Sequence, residues 1–380
     1  MGKRLIGILA LVLVMVLVVG VAGILHRTPA VVTPPAAAIA SPPTAEPTPV
    51  PTPSPTDTPT PTPTPEPTAT PTPTPVPTPN PVAYLMLTGA PAATPPPRPI
   101  AVQIDNAPSA RPQSGLVDAD VVYETPTEAQ LTRFTALFQT HAPDVVGPVR
   151  SARLIDLQVI PEHDAILTYS GAATAVQALL VQARLDLLQA EIDASSVSWR
   201  DLNRYAPYNL YTSVKGLLGI VAQRGWATPS TADPFVFGPA APSGSPSGGV
   251  DVPYAAGEVE FRYDPATQRY RRFVDGAPHL DAVTGAQIAA QNVVVVFTTF
   301  TQTNIIEDTL GERSLDVTLQ GSGDAWVFRG GQRYVARWQR SGLNDTLRFV
   351  DATTGLPVPL AEGQTWICLV PQWLTATPKP

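Results

Sequence analysis

The sequence predicts a mixed α/β N-terminal domain followed by a small, mostly antiparallel β C-terminal domain, with a transmembrane helix and a disordered Pro/Thr stalk ahead of both. Three observations carry that expectation: an apolar run opens the chain, a proline–threonine tract follows it, and a Gly/Pro/Ser-rich break divides the rest into halves of different patterning. The expected boundaries are 1–27 for a signal anchor or signal peptide and 28–83 for the stalk. The α/β domain then covers 84–232, a linker 233–250, and the β domain 251–373.

Lys3 and Arg4 precede Leu5 to Leu25, a run without a charged residue. A helix needs about 20 apolar residues to cross a bilayer, and basic residues beside a span stay on the cytoplasmic side. The remainder is therefore expected outside the cell. A cleaved signal peptide is the competing reading, although no clear A-x-A site follows the run. The tract from about Thr28 to Pro81 has too little apolar content to bury a core, and its prolines favour extended polyproline II. At ~3.1 Å per residue it could span ~150 Å, a natural length for a spacer.

The break at Ala232 to Val250 contains FGPAAPSGSPSGGV, which reads as a linker. Before it, Ile100–Ile104, Val121–Tyr123, Leu131–Phe138 and Ala165–Tyr169 read as strands. Ala152–Ile160 and Ala172–Leu188 have helical periodicity, with Ser170 a candidate N-cap for the second. Strands interleaved with helices suggest α/β layers. After the break, Val293–Phe300, Ala325–Phe328, Arg333–Trp338, Leu347–Val350 and Thr365–Val370 read as strands. Gly330-Gly331 marks a hairpin turn between two of them. The single cysteine, Cys368, can form no internal disulfide and is expected in a buried strand as a small apolar residue.

Polar residues concentrate in the first half. Asp105 and Asn106 follow a strand directly, and carboxyl ends of strands are where ligands bind in open α/β sheets. Arg111 lies in the proline-rich loop beyond them, and VVYETPTEAQLTRF adds Glu124, Glu128 and Arg133. VGPVRSARLIDL places Arg150, Ser151 and Arg153 at an expected helix start. Unpaired N–H groups, the helix dipole and two guanidinium forks would together seat a phosphate or carboxylate. Internal pairing of these arginines with Asp105, Glu124, Glu128 or Asp156 is the alternative. The segment WRDLNRYAPYNLYTS, with Asn203 and Asn209, is expected to cover the site.

The net charge of −7 disfavours a nucleic-acid partner. No G-x-S-x-G, H-E-x-x-H, Walker-type or dinucleotide-binding glycine motif is present, and the histidines lack zinc-ligand spacing. Nothing in the sequence calls for a cofactor.

Several long phrases resemble the YerB family of bacterial lipoprotein-type proteins, a domain family of unknown function. In the first half these are RPIAVQIDNAPSARPQSGL, ADVVYE, TRFTALFQ, VGPVRSAR and APYNLYTS. In the second they are HLDAVTGAQIAAQNVVVVF, QGSGDAWVFRGGQRYVARWQR and EGQTWICLVP. The resemblance covers nearly all of Arg98 to Pro371 and implies a mixed domain and a β domain outside the membrane. It implies no reaction. The chain lacks a lipidation cysteine near its apolar run, so a protein helix would stand in for the lipid. The order of IAVQID, ADVVYE and VGPVRSAR is also loosely similar to LytR-CpsA-Psr transferases, though no motif matches closely.

The leading reading is a membrane-anchored extracytoplasmic protein that binds an anionic envelope ligand or a partner protein through an arginine-lined pocket. Metal-assisted transfer or hydrolysis of an envelope glycan or phosphate, and a non-enzymatic assembly role, stand beside it.

Overall fold

The computed structural model describes residues 83–92 and 94–380. The expected membrane span and nearly all of the expected stalk lie outside these residues. Among the described residues, no helix is long and apolar enough to cross a membrane. The first half contributes strands β1 (Ile100–Asp105), β2 (Val121–Pro126) and β3 (Thr132–Phe138), helix α1 (Asp156–Glu162), β4 (Ile166–Tyr169), α2 (Thr174–Gln182) and β5 (Leu187–Gln189). A small hairpin, β6 (Ser198–Arg200) and β7 (Leu210–Thr212), and helix α3 (Val214–Gln223) complete it.

The second half is almost wholly β. It contains β8 (Gly249–Tyr254), β9 (Gly257–Asp264), β10 (Arg269–Val274), β11 (Asn292–Thr298), β12 (Phe300–Ile306) and β13 (Arg313–Val317). The series ends with β14 (Gly321–Arg329), β15 (Gln332–Arg340), β16 (Arg348–Asp351), β17 (Thr365–Pro371) and β18 (Thr377–Lys379).

The two halves share one 11-stranded sheet, in which β15-β14-β11-β17-β2-β3-β1-β4-β5 run side by side. Strand β17 is the junction, parallel to β11 on one side and to β2 on the other. Both neighbours come from distant chain positions, and β17 is apolar on both faces. The pleat sends Val293, Val295, Trp366 and Cys368 into one core, and Val294, Val296, Ile367 and Leu369 into the other. A continuous apolar run such as VVVV or WICLV is what such a doubly covered strand requires. One face packs on α3 and on a second sheet containing β10-β9-β8-β18. The other face packs on α1 and α2. Cys368 is fully buried, as its sequence context suggests.

Three local expectations are corrected. The helix expected over Ala172–Leu188 is α2 alone, which stops at Gln182; Arg184 then adopts φ 56° and reverses the chain into β5. A left-handed residue after the last turn ends a helix whatever the periodicity beyond it. Ser170 does not cap α2, whose N-cap position is Ala173 with no side-chain cap. Arg150, Ser151 and Arg153 do not begin a helix, because α1 starts only at Asp156. They lie in a segment hydrogen bonded across the sheet end, with Arg150 N–H donating to Gln103 O and Ser170 N–H to Arg150 O. Residues 233–250 run along the second half, with Leu360 N–H donating to Val236 O and Ser245–Pro246 pairing with β15.

Candidate functional site

The polar residues picked out from sequence separate into three groups. The first surrounds Glu124, which is fully buried on β2. Arg272 on β10 places Nη2 at 3.0 and 2.9 Å from its two carboxylate oxygens, and the Trp366 indole N–H donates to Oε2 at 3.1 Å. Thr132 Oγ1 at 3.2 Å and Asn106 Nδ2 at 3.1 Å complete the shell. Arg272 is itself fully buried, with its guanidinium carbon 4.9 Å from the Trp366 ring centroid. Its Nη1 bonds His279 Nδ1, and His279 Nε2 lies 2.7 Å from Gln113 Oε1. Burial and the charges of Arg272 and Arg111 hold the His279 pKa well below the usual histidine range. A neutral ring fits this chain of bonds when Nδ1 accepts and Nε2–H donates. Gln113 then donates to Asn106 Oδ1 at 3.0 Å, and Asn106 Oδ1 also accepts from Arg111 Nε at 3.1 Å. Asn106, Arg111 and Glu124 are thus joined in one closed network between the halves.

The second group surrounds Glu128. Arg153 binds its carboxylate through Nε at 2.8 Å and through Nη2, while Arg133 Nη2 stands 3.6 Å away. Glu307 reaches Arg153 Nη1 at 3.3 Å, and Arg133 Nη1 donates to Ser151 O at 2.9 Å. Burial opposes ionisation of Glu128, but the Arg153 hydrogen bonds and the Arg133 charge outweigh it and hold the carboxyl at about 2. Arg133 and Arg153 are buried and spent on these partners. Beneath them Asp156 accepts from Arg153 N–H at 2.8 Å and from Gln103, and burial pushes its pKa up to about 7.

The third group differs. Asp105 is buried at the end of β1, where Oδ1 accepts from Ala107 N–H at 2.9 Å. Its Oδ2 lies 2.7 Å from Arg150 Nε, an ion pair without aligned hydrogen-bond geometry. The Arg150 side chain keeps 25% exposure, and its terminal amino groups have no hydrogen-bond partner among the described residues. The uncapped start of α2 follows Ser170 and Gly171, and Gly171 O accepts from Ala152 N–H at 2.9 Å. The β6–β7 hairpin lies over this end of the sheet. Arg204 fastens it by donating to Ser109 O at 3.0 Å, Pro112 O at 3.2 Å and Tyr211 OH at 2.6 Å. Tyr208 sets its ring centroid 6.0 Å from the Arg150 guanidinium carbon. Asn209 is buried within the hairpin and accepts from Arg200 Nη1 at 2.8 Å, whereas Asn203 is exposed and bonds Asp201.

Sequence reasoning missed Arg272, His279 and Gln113, and also a matching cluster on the opposite face of the large sheet. There Glu162 faces Arg340 Nη1 at 3.6 Å, and Tyr123 OH lies 2.8 Å from His163 Nε2. Burial and the Arg340 charge hold the His163 pKa at about 3. Each missed arginine sits in an ordinary β run, RYRRFV or RYVARWQR, and carries no signal before its partner is known.

Comparison with known proteins agrees with this architecture. The N-terminal domain described as a protein of unknown function, DUF3048, matches residues 87–227, and its C-terminal domain matches residues 250–367. A protein of Bacillus subtilis (strain 168) named "Putative lipoprotein YerB" is 33% identical over 278 residues, which is 72% of this chain and 81% of that protein. The crystal structure of YerB from Bacillus subtilis is similar with a TM-score of 0.67 at 30% identity, covering 77% of this chain and 99% of that one. With both domains matched in order and this likeness along most of its length, the chain belongs to the DUF3048 family, to which no function is assigned.

Proposed function

We propose that the protein is a membrane-associated binding protein of the cell envelope that takes an anionic group, a phosphate or a carboxylate, at Arg150. The observation that carries this reading is the state of that side chain. Asp105 fixes the guanidinium through Nε, and the two terminal amino groups remain free of protein partners among the described residues. A guanidinium held on one side and open on the other is prepared for bidentate recognition of an oxyanion. The uncapped start of α2 adds unpaired N–H groups and about half a positive charge to the same end of the sheet. The hairpin pinned by Arg204 supplies a cover, with Tyr208 against the guanidinium. Arg133 and Arg153 support the site from beneath rather than contacting the ligand. The envelope location rests on the charge-free apolar run at the N-terminus and on the name of the Bacillus subtilis relative.

A metal-assisted transfer finds less support. Asp105 and Glu124 are committed to Arg150 and Arg272, and among the described residues no group of three His, Cys, Asp or Glu could hold a metal ion. The test is a thermal-shift titration of the full chain with inorganic phosphate, pyrophosphate and citrate. An anion at 100 times its Kd should stabilise the fold by about 2.7 kcal/mol. Arg150→Lys, which keeps the charge but loses the fork, should weaken that response, and Arg150→Gln should abolish it. Equal shifts in wild type and both variants, or none with any anion, would reject the assignment.

A further inference from the structure

We infer a second binding site, for a neutral glycan chain, in a cleft of about 730 Å³ at the carboxyl ends of β2 and β17. Pro126 and Pro371, the last residues of these two parallel strands, both line it. One wall is the Thr127–Thr132 turn of the first half; the others are the β8–β9 turn, the β12–β13 hairpin and Trp373 of the second half. Its volume falls within the range of about 300–1,000 Å³ typical of ligand pockets.

The lining identifies the chemistry. Trp373 is 62% exposed, and its ring is held edge-on by Phe300 with centroids 6.0 Å apart at 72°. A tryptophan fixed this way offers an apolar face to the C–H side of a pyranose. The side chains of Gln130, Gln302 and Glu312 also line the cleft and make no hydrogen bond among the described residues. Each amide offers donors and an acceptor, and the carboxylate accepts, which suits hydroxyl groups that do both. The charges in the lining balance: Arg313 bonds the neutral Asn304 Oδ1 at 2.5 Å and keeps its charge, Glu312 beside it carries the opposite one, and the Glu128 carboxylate at the wall belongs to Arg153. With one unpaired carboxylate beside one guanidinium, the cleft favours neither sign of ligand charge, and a neutral ligand suits it. The turn that presents Gln130 is strained, with Ala129 at φ 56° and Gln130 at φ 59°. Two successive left-handed residues with side chains are unfavourable, and strain of this kind concentrates where ligands are held.

The experiment is isothermal titration of the full chain with chitotetraose and cellotetraose, neutral tetrasaccharides, and with a peptide of sequence PTPTPEPTATPTP from the chain's own tract. Saturable heat with at least one tetrasaccharide is expected. Trp373→Ala and Gln302→Ala, both at exposed positions, should each weaken it tenfold or more while leaving Tm unchanged. The site is independent of Arg150, so Arg150→Gln should leave glycan binding intact. No heat from either sugar, unchanged affinity in the Trp373→Ala protein, or binding of the peptide alone would overturn the inference.

Discussion

Asp156 is a carboxyl group that burial takes wholly out of water. It is fully buried, and burial raises its folded-state pKa to about 7, against about 3.9 in an unfolded chain. A raised folded pKa gives stability that is complete below the unfolded value and is lost as pH rises through the folded one. Resistance to urea should therefore fall between about pH 4 and 7, by up to roughly 1.4 kcal/mol per pH unit, and then level off. Asp156→Asn should flatten that decline; an unchanged slope in urea midpoints across this window would show that Asp156 ionises freely. Glu128 acts in the opposite sense and in a separate window. With its folded pKa held at about 2, its contribution is present above about pH 4.3 and disappears as acid is added. The same two residues show why sites are hard to read from sequence. Both are carboxylates near arginines, and only their different partners separate a proton-holding group from an ion-paired one.

Among the elements, the β14–β15 hairpin permits a sharp comparison. Gly330 and Gly331 both have positive φ, 56° and 73°, as the two-residue turn requires. A side chain added at Gly330 would meet nothing within 4 Å, whereas one at Gly331 would stand 2.7 Å from the Tyr263 ring. Gly330→Asn should be nearly neutral, because asparagine tolerates the left-handed region. Gly331→Ala should cost about 1–3 kcal/mol, read as a lower chemical-denaturation midpoint. Equal effects at the two positions would contradict the packing of Tyr263 against this turn. This hairpin was legible beforehand, as were β1, β2, β3, β11 and β17, because glycine pairs and runs of β-branched residues act locally. The β8–β9–β10 sheet was not legible: VDVPYAAGEVEFRYDPATQRYRRFV alternates too many charges with its apolar residues to stand out. Helix α3 was also missed, although Ser213 caps it by accepting from Gly216 N–H. Polar character at residues 105–153 was legible, but which arginine stayed free depended on partners such as Glu307 and Asp105 meeting across the fold.

At the scale of the whole molecule, two fully buried ion pairs join the halves, one on each face of the large sheet, in addition to the Arg153–Glu307 contact. Glu124 and Glu162 come from the first half, and Arg272 and Arg340 from the second. Removing one partner of such a pair strands a buried charge, at a cost of about 3–5 kcal/mol. Together with the strand shared between them, these pairs should make the halves unfold as one. Calorimetry of the full chain should give a single transition with matching calorimetric and van't Hoff enthalpies, and two resolved transitions would contradict it. The position of β17 in the chain has a further consequence, for the timing of folding. Val121 pairs with Thr365, so the centre of the sheet closes only when residues as far along the chain as Thr365 are present. During synthesis the first half must wait with an apolar strand edge at β2 open, a state prone to pairing with the wrong chain. Such long-range closure is slow. A chain kept unfolded until Thr365 has been made would avoid that hazard, and a chain truncated before Thr365 could not escape it.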